Sequence, residues 1–165
     1  MAPSSRILYA HKNGNYYLRF VGDVRVTFCT TLNTYIELLF KAEEIHSVAV
    51  DLRTAAAVDS TTLGLLAKLA IYVNRVANLK PLLIVEDESM VRLIQSMGLD
   101  EIFSVVASFP DQSSSLQELK ITHADTESAR TTVIEAHRTL MKLNNRNMEA
   151  FADLVKRLEA ETRQP

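Results

Sequence analysis

Residues 48–66 read VAVDLRTAAAVDSTTLGLL, and this stretch combines the features that decide the fold. The opening VAVDL is a compact branched apolar run, typical of a strand that is buried between helices. After a short connection, the hydroxyl side chains of Ser60, Thr61 and Thr62 stand where a helix would begin, and any of them can cap it. The stretch therefore predicts a buried strand, a loop and a helix in succession.

The flanking segments extend this pattern upstream. An Asn-Gly pair at residues 13–14 lies between two strand-like segments, residues 7–10 and 16–21, and predicts a β-hairpin. Farther along, Thr30 and Thr31 precede apolar residues at helical spacing. We therefore expect a first helix that one of these two threonines caps.

The downstream segments repeat the alternation of strands and helices. A strand is expected at residues 82–85, after which the acids of residues 86–88 complement the dipole of a helix that Gly98 ends. A last strand is expected at residues 102–106. This order predicts an α/β fold with a mixed sheet and packed helices, parallel where helices form the crossovers.

The clearest shift in composition follows this last strand. We therefore divide the chain into a domain at residues 1–110 and a helical extension at residues 111–165. Residues 125–163 carry a helical apolar stripe, which predicts one long helix or two separated near residues 144–147. The extension is expected to pack on its own domain, and homodimerisation through it is the alternative.

Composition excludes several classes of function. The 165 residues are 47% hydrophobic and carry a formal net charge of −2, which is typical of a globular protein without the basic surface that nucleic acid requires. The longest apolar runs fall short of the roughly 20 residues that cross a bilayer, and the start of the chain lacks a signal-peptide core. The single cysteine cannot form an intramolecular disulfide. We expect a cytoplasmic protein with no membrane partner.

Asp59 and the three hydroxyl residues after it form the candidate site. The N-terminus of a helix has unpaired backbone N–H groups and a positive dipole end, so a phosphate attached to a hydroxyl there would be stabilised. The added charge of about −1.5 to −2, next to Asp59, would oppose docking of a partner. The plainer interpretation is that Ser60 only caps the helix.

Residues 48–66 resemble the signature of the STAS domain of bacterial anti-sigma factor antagonists, in which a strand leads to Asp-Ser-Ser/Thr-Gly-Leu-Gly at a helix start. Residues 20–23 (FVGD) and 91–99 (VRLIQSMGL) resemble two further segments of that family, so that the resemblance covers about residues 6–108. It implies a STAS-like mixed sheet with packed helices, to which the C-terminal helical extension is added.

The resemblance also implies a function and a site. It makes Ser60 the phosphoacceptor, with Thr61 as the alternative, in a protein that is not an enzyme and that needs no cofactor. Its partners would be an anti-sigma factor or serine kinase and a PP2C-type phosphatase, alone or fused to a response-regulator receiver. The loop and docking residues that it implies are Val58, Asp59, Thr61, Thr62, Leu63, Gly64, Asp23 and Arg25.

Two departures from the family pattern affect the site. Thr62 stands where the family usually has glycine and adds a hydroxyl that could compete as acceptor. Arg25 stands where many members carry an acid, which changes the charge of the expected docking surface.

Other functions find less support in the residues. An esterase with Ser60 as nucleophile would need an activating base, and no histidine is placed by local pattern to serve it. The four histidines are scattered, and no Cys/His spacing predicts a metal site. A constitutive STAS scaffold or ligand-sensing module, in which Ser60 is only a cap, remains the alternative function.

Overall fold

The computed structural model describes residues 4–163, which form seven strands and five α-helices. The strands are β1 (Arg6–Lys12), β2 (Asn15–Val24), β3 (Ser47–Asp51), β4 (Ala55–Val58), β5 (Leu82–Ile84), β6 (Ser104–Val106) and β7 (Gln117–Glu118). The helices are α1 (Cys29–Leu39), α2 (Ser60–Ala77), α3 (Glu88–Ser96), α4 (Thr126–Met141) and α5 (Asn145–Arg163).

The strands form one mixed sheet in the order β6-β5-β3-β2-β1-β7, and β4 pairs with the end of β2. The pairs β2–β3, β3–β5 and β5–β6 are parallel, since α1, α2 and α3 provide the connections between these strands, whereas β1 is antiparallel to both β2 and β7. The predicted α/β class with a mixed sheet is confirmed.

The opening hairpin and the buried strand also follow the sequence. Asn13 and Gly14 have φ angles of 51° and 79°, the left-handed values that the two central residues of a type I′ turn adopt. β3 lies in the middle of the sheet, and Val48 and Val50 are buried in its main core. The turn at Asn13–Gly14 and the buried position of β3 in the middle of the sheet therefore agree with the two predictions.

Three local predictions were wrong or incomplete. α1 begins at Cys29, so Thr30 and Thr31 lie inside it, and the Thr31 hydroxyl accepts a hydrogen bond from the Thr122 N–H at 2.9 Å. The predicted connection before α2 contains β4, which pairs with β2. The sheet also continues past residue 110, because β7 pairs with β1.

The extension forms two helices, which we call the C-terminal hairpin (α4 and α5). Ala136 and Leu140 of α4 are buried in the main core, so this hairpin packs on the domain that precedes it. At the turn between the helices, the Asn147 side chain donates hydrogen bonds of 2.8 Å to the carbonyls of Met97 and Leu140. The turn is thereby fixed to the end of α3.

Candidate functional site

The start of α2 is capped by Asp59 and not by one of the three hydroxyl residues. Asp59 Oδ1 accepts a hydrogen bond of 3.0 Å from the Thr62 N–H, and Oδ2 accepts one of 2.8 Å from the Val26 N–H. One carboxylate thus satisfies an amide of the first helical turn and also fixes the segment after β2. The prediction that Ser60, Thr61 or Thr62 caps this helix was wrong.

The hydroxyl of Ser60 instead contacts a histidine of the C-terminal hairpin. Ser60 is the first residue of α2 and is half-buried, and its Oγ lies 2.8 Å from His137 Nε2. The other ring nitrogen, Nδ1, lies 2.8 Å from the carbonyl oxygen of Val133, which can only accept, so Nδ1 is the donor there. In the neutral ring Nε2 is therefore the acceptor, and the Ser60 hydroxyl donates to it.

The other two hydroxyls of the motif are buried. Thr61 is 4% exposed and Thr62 is 2% exposed. The Thr62 hydroxyl donates a hydrogen bond of 2.9 Å to the carbonyl of Val24, which ties the start of α2 to the end of β2. The threonine that departs from the family pattern is thus a structural tether, and Ser60 is the most accessible hydroxyl of the three.

The remaining candidate residues fall into an exposed and a buried group. Asp23 and Arg25 are exposed, with 3.7 Å between Oδ2 and the nearest guanidinium nitrogen, whereas Val58 is half-buried. Leu63 and Gly64 are buried. The structure therefore brings Asp23, Arg25, Asp59 and Ser60 to the same end of the molecule, where β2 and β4 end.

The histidine at this site was missed by sequence reasoning. His137 is 2% exposed, and its ring packs edge-on against Phe151 of α5 with 5.1 Å between ring centroids. It lies 77 positions from Ser60 in the chain, so no local motif joins the two. The available signal was a polar residue that interrupts the apolar stripe of the extension.

The Ser60–His137 pair has the hydrogen-bond spacing of a nucleophile and its base. The ring is oriented by a backbone carbonyl and not by a carboxylate. A cavity of about 660 Å³ lies elsewhere and is lined by Tyr17, Ala49 and Phe109 among others. Within residues 4–163, no three His, Cys, Asp or Glu side chains converge as metal ligands.

A solved structure is similar to this chain in its fold. It is an anti-sigma factor antagonist from Mycobacterium paratuberculosis, and the superposition gives a TM-score of 0.53 at 17% sequence identity. The alignment covers 66% of this chain and 92% of the other. This chain has the fold of an anti-sigma factor antagonist. No family model matches the sequence, and no curated protein matches it.

The comparison confirms, at the level of the fold, the resemblance to the antagonist family. About a third of this chain lies outside the alignment. Among the described residues, none of the helices is long and apolar enough to cross a membrane.

A second buried polar group, which we call the Asp51 cluster (Tyr17, Arg19, Asp51 and Arg53), lies where β3 ends. Arg53 donates two side-chain hydrogen bonds and one backbone hydrogen bond to the Asp51 carboxylate, at 2.8 to 3.0 Å, and the Tyr17 hydroxyl donates another. Burial by itself raises the pKa of Asp51, but these hydrogen bonds outweigh it and hold the pKa below its usual value.

Proposed function

We propose that this protein is a phosphorylation-controlled anti-sigma factor antagonist of the bacterial cytoplasm. The unphosphorylated form binds an anti-sigma factor or switch kinase, phosphorylation of Ser60 releases that partner, and a PP2C-type phosphatase restores binding. In the phosphorylation step the γ-phosphoryl group of ATP passes to Ser60 Oγ, ADP leaves, and the hydroxyl proton is taken up by the kinase. The protein itself catalyses no reaction in this cycle.

The observation that carries the proposal is that Asp59, and not Ser60, caps α2. Asp59 provides the cap, so the Ser60 hydroxyl is not needed to hold the helix. Ser60 also occupies the first helical position, where unpaired backbone N–H groups favour an attached phosphate. A modification of Ser60 therefore leaves the capping of α2 intact.

The charge change at this position gives the switch its physical basis. A phosphate would add about −1.5 to −2 charges beside Asp59 and near the exposed Asp23. A partner that docks on this end of the molecule would have to desolvate that charge or face it with an acidic surface, which costs several kcal/mol. Partner affinity changes as a result, whereas the Asp59 cap of α2 stays in place.

Capture of partners from the source cells tests the proposal. We expect the Ser60→Ala variant to retain its partner and the Ser60→Asp variant to lose it. Ser89 provides a matched control, since it is exposed in the first turn of α3, and Ser89→Asp adds the same charge at another helix N-terminus. The Ser89→Asp variant should capture the partner as well as the wild type does.

Mass spectrometry of the protein from its native cells provides the second test. We expect phosphate on Ser60, and Thr61 is the less accessible alternative because it is 4% exposed. Equal capture by Ser60→Ala and Ser60→Asp, together with no phosphate on either residue under any growth condition, would reject the switch. That result would favour the alternative, a constitutive scaffold or ligand-sensing module.

A further inference from the structure

We propose that the C-terminal hairpin covers the Ser60 face of α2 and competes there with the partner and with the modifying enzymes, a regulation that rests on the proposed function. In this arrangement α4 of the same chain occupies the surface around Ser60 and Gly64. Access to Ser60 then depends on how often α4 leaves that surface.

The first observation is the contact at Ser60 itself. The hydroxyl donates to His137 Nε2, and the imidazole ring is buried between α2 and Phe151. A phosphoryl group on Oγ would replace the proton that His137 accepts and would need the space that the ring now fills. A phosphorylated Ser60 and a fully docked α4 are therefore in conflict at this point.

The second observation is the close approach of α4 to α2 one turn farther along. A Cβ atom at Gly64 would lie 2.3 Å from the carbonyl oxygen and 2.6 Å from the carbonyl carbon of Ala136. The glycine of the motif is thus the residue that allows the α4 backbone to lie directly on α2. Gly64, which the resemblance assigned to partner docking, is here covered by the chain's own helix.

The third observation is that the hairpin is held together as a unit. An ion pair joins Arg138 of α4 to Glu159 of α5, and another joins Arg130 to Glu161 at 3.7 Å. Its turn is attached to the domain through Asn147, whose side chain bonds the carbonyls of Met97 in the domain and of Leu140, one turn of α4 beyond His137. We therefore expect the two helices to leave α2 together.

The substitution Gly64→Ala separates the hairpin from α2 selectively. The new methyl group cannot coexist with the present position of the Ala136 backbone. Within α2 the same change is favourable, since alanine is the better helix former by roughly 1 kcal/mol. We therefore expect α4 to move and α2 to remain helical.

Accessibility of position 60 is measured on the full chain with a polymer-linked maleimide, a probe too bulky to reach a covered thiol. Ser60→Cys supplies the thiol, and His137→Phe in the same chain keeps an aromatic ring in place without an imidazole that would activate the thiol. Cys29 contributes a slow background, because it is 4% exposed and burial raises the pKa of its thiol. A chain with His137→Phe alone measures that background.

Adding Gly64→Ala to this chain should increase the rate of labelling at position 60 by about tenfold or more. Hydrogen exchange of the amides of α4 should rise in parallel, while exchange in β2 and β3 stays slow. Asn147→Ala, which removes the attachment at the turn and leaves residues 6–108 unchanged, should act in the same direction. Arg92→Ala, on the exposed face of α3, is the control and should change neither measurement.

Three results would overturn the proposal. Labelling that stays equally slow after α4 has loosened would show that the hairpin does not limit access. Labelling that is already fast with Gly64 in place would show that Ser60 is not covered. Unchanged exchange of α4 in both Gly64→Ala and Asn147→Ala would show that the hairpin does not leave α2. These measurements need no partner, so they can contradict the covering by the hairpin while the Ser60 switch stands. Equally, the capture experiments can reject the switch while the hairpin is still found to cover Ser60.

Discussion

The Asp51 cluster and the Ser60–His137 contact are both buried polar arrangements, but they differ in how they are built. Asp51 is 1% exposed and receives hydrogen bonds from its near neighbour Arg53 and from Tyr17 of the adjacent strand. Ser60 and His137 share one hydrogen bond between elements 77 positions apart. The first arrangement consists of several bonds, three of them from a residue only two positions away, whereas the second is a single long-range bond.

This difference separates a structural contact from one that can open. Losing any one bond of the Asp51 cluster leaves the others in place, so the cluster stays formed as long as β2 and β3 are paired. Losing the single bond between Ser60 and His137 leaves α4 held on α2 at this end by apolar packing and by the fit at Gly64. The contact is therefore suited to a site that must be exposed at times.

The largest effect that the comparison predicts is on Asp51. The Asp51→Ala variant should lose about 3 kcal/mol of unfolding free energy, because it leaves the Arg53 guanidinium and the Tyr17 hydroxyl without their acceptor. Glu37→Ala is the matched control, as it breaks an exposed ion pair to Lys68 and should cost less than about 1 kcal/mol. Urea unfolding of both variants measures the difference, and equal losses would contradict the structural role of the cluster.

Acid should also weaken the Asp51 cluster. The folded-state pKa of Asp51 lies below its unfolded value of about 3.9, because hydrogen bonds from Arg53 and Tyr17 outweigh the opposing effect of burial. The stabilisation is therefore complete above that value and is lost as the pH falls through the folded-state pKa. We expect the stability difference between wild type and Asp51→Asn to shrink below about pH 4 in unfolding curves. A difference that stays constant with pH would show that Asp51 is not ionised in the fold.

The contrast also shows what the sequence could predict. Short-range patterns gave the β1–β2 hairpin, the buried β3 and the start of α2, because the residues that form each element are adjacent in the chain. The cap of α2 was assigned to the wrong residue, since Asp59 and Ser60 are both good caps and the motif does not show the contacts that distinguish them. The Ser60 hydroxyl contacts His137, and Asp59 accepts a hydrogen bond from the Val26 N–H. The Val26 amide follows β2, outside the motif, so the motif alone could not reveal this contact.

The histidine and the glycine contact could not be predicted for the same reason. His137 meets Ser60 only because α4 crosses α2, and the position of that crossing depends on the packing of the backbone against Gly64. A helical stripe in the extension indicates that a face is buried but not which residue of another helix it meets. The contacts of the candidate site therefore depend on tertiary structure, although the motif itself indicated Ser60.

The smallest predicted effect is the loss of the Ser60 hydroxyl. Ser60→Ala leaves a buried imidazole nitrogen without its donor, so we expect a loss of about 1 kcal/mol in urea unfolding, well below the loss from Asp51→Ala. Ser89→Ala, at an exposed position near the start of α3, should change stability by less than about 0.5 kcal/mol. A loss near 3 kcal/mol from Ser60→Ala would instead make Ser60 a structural residue like Asp51. A modification that removed its hydrogen bond would then damage the fold, and a reversible switch at this position would be physically untenable.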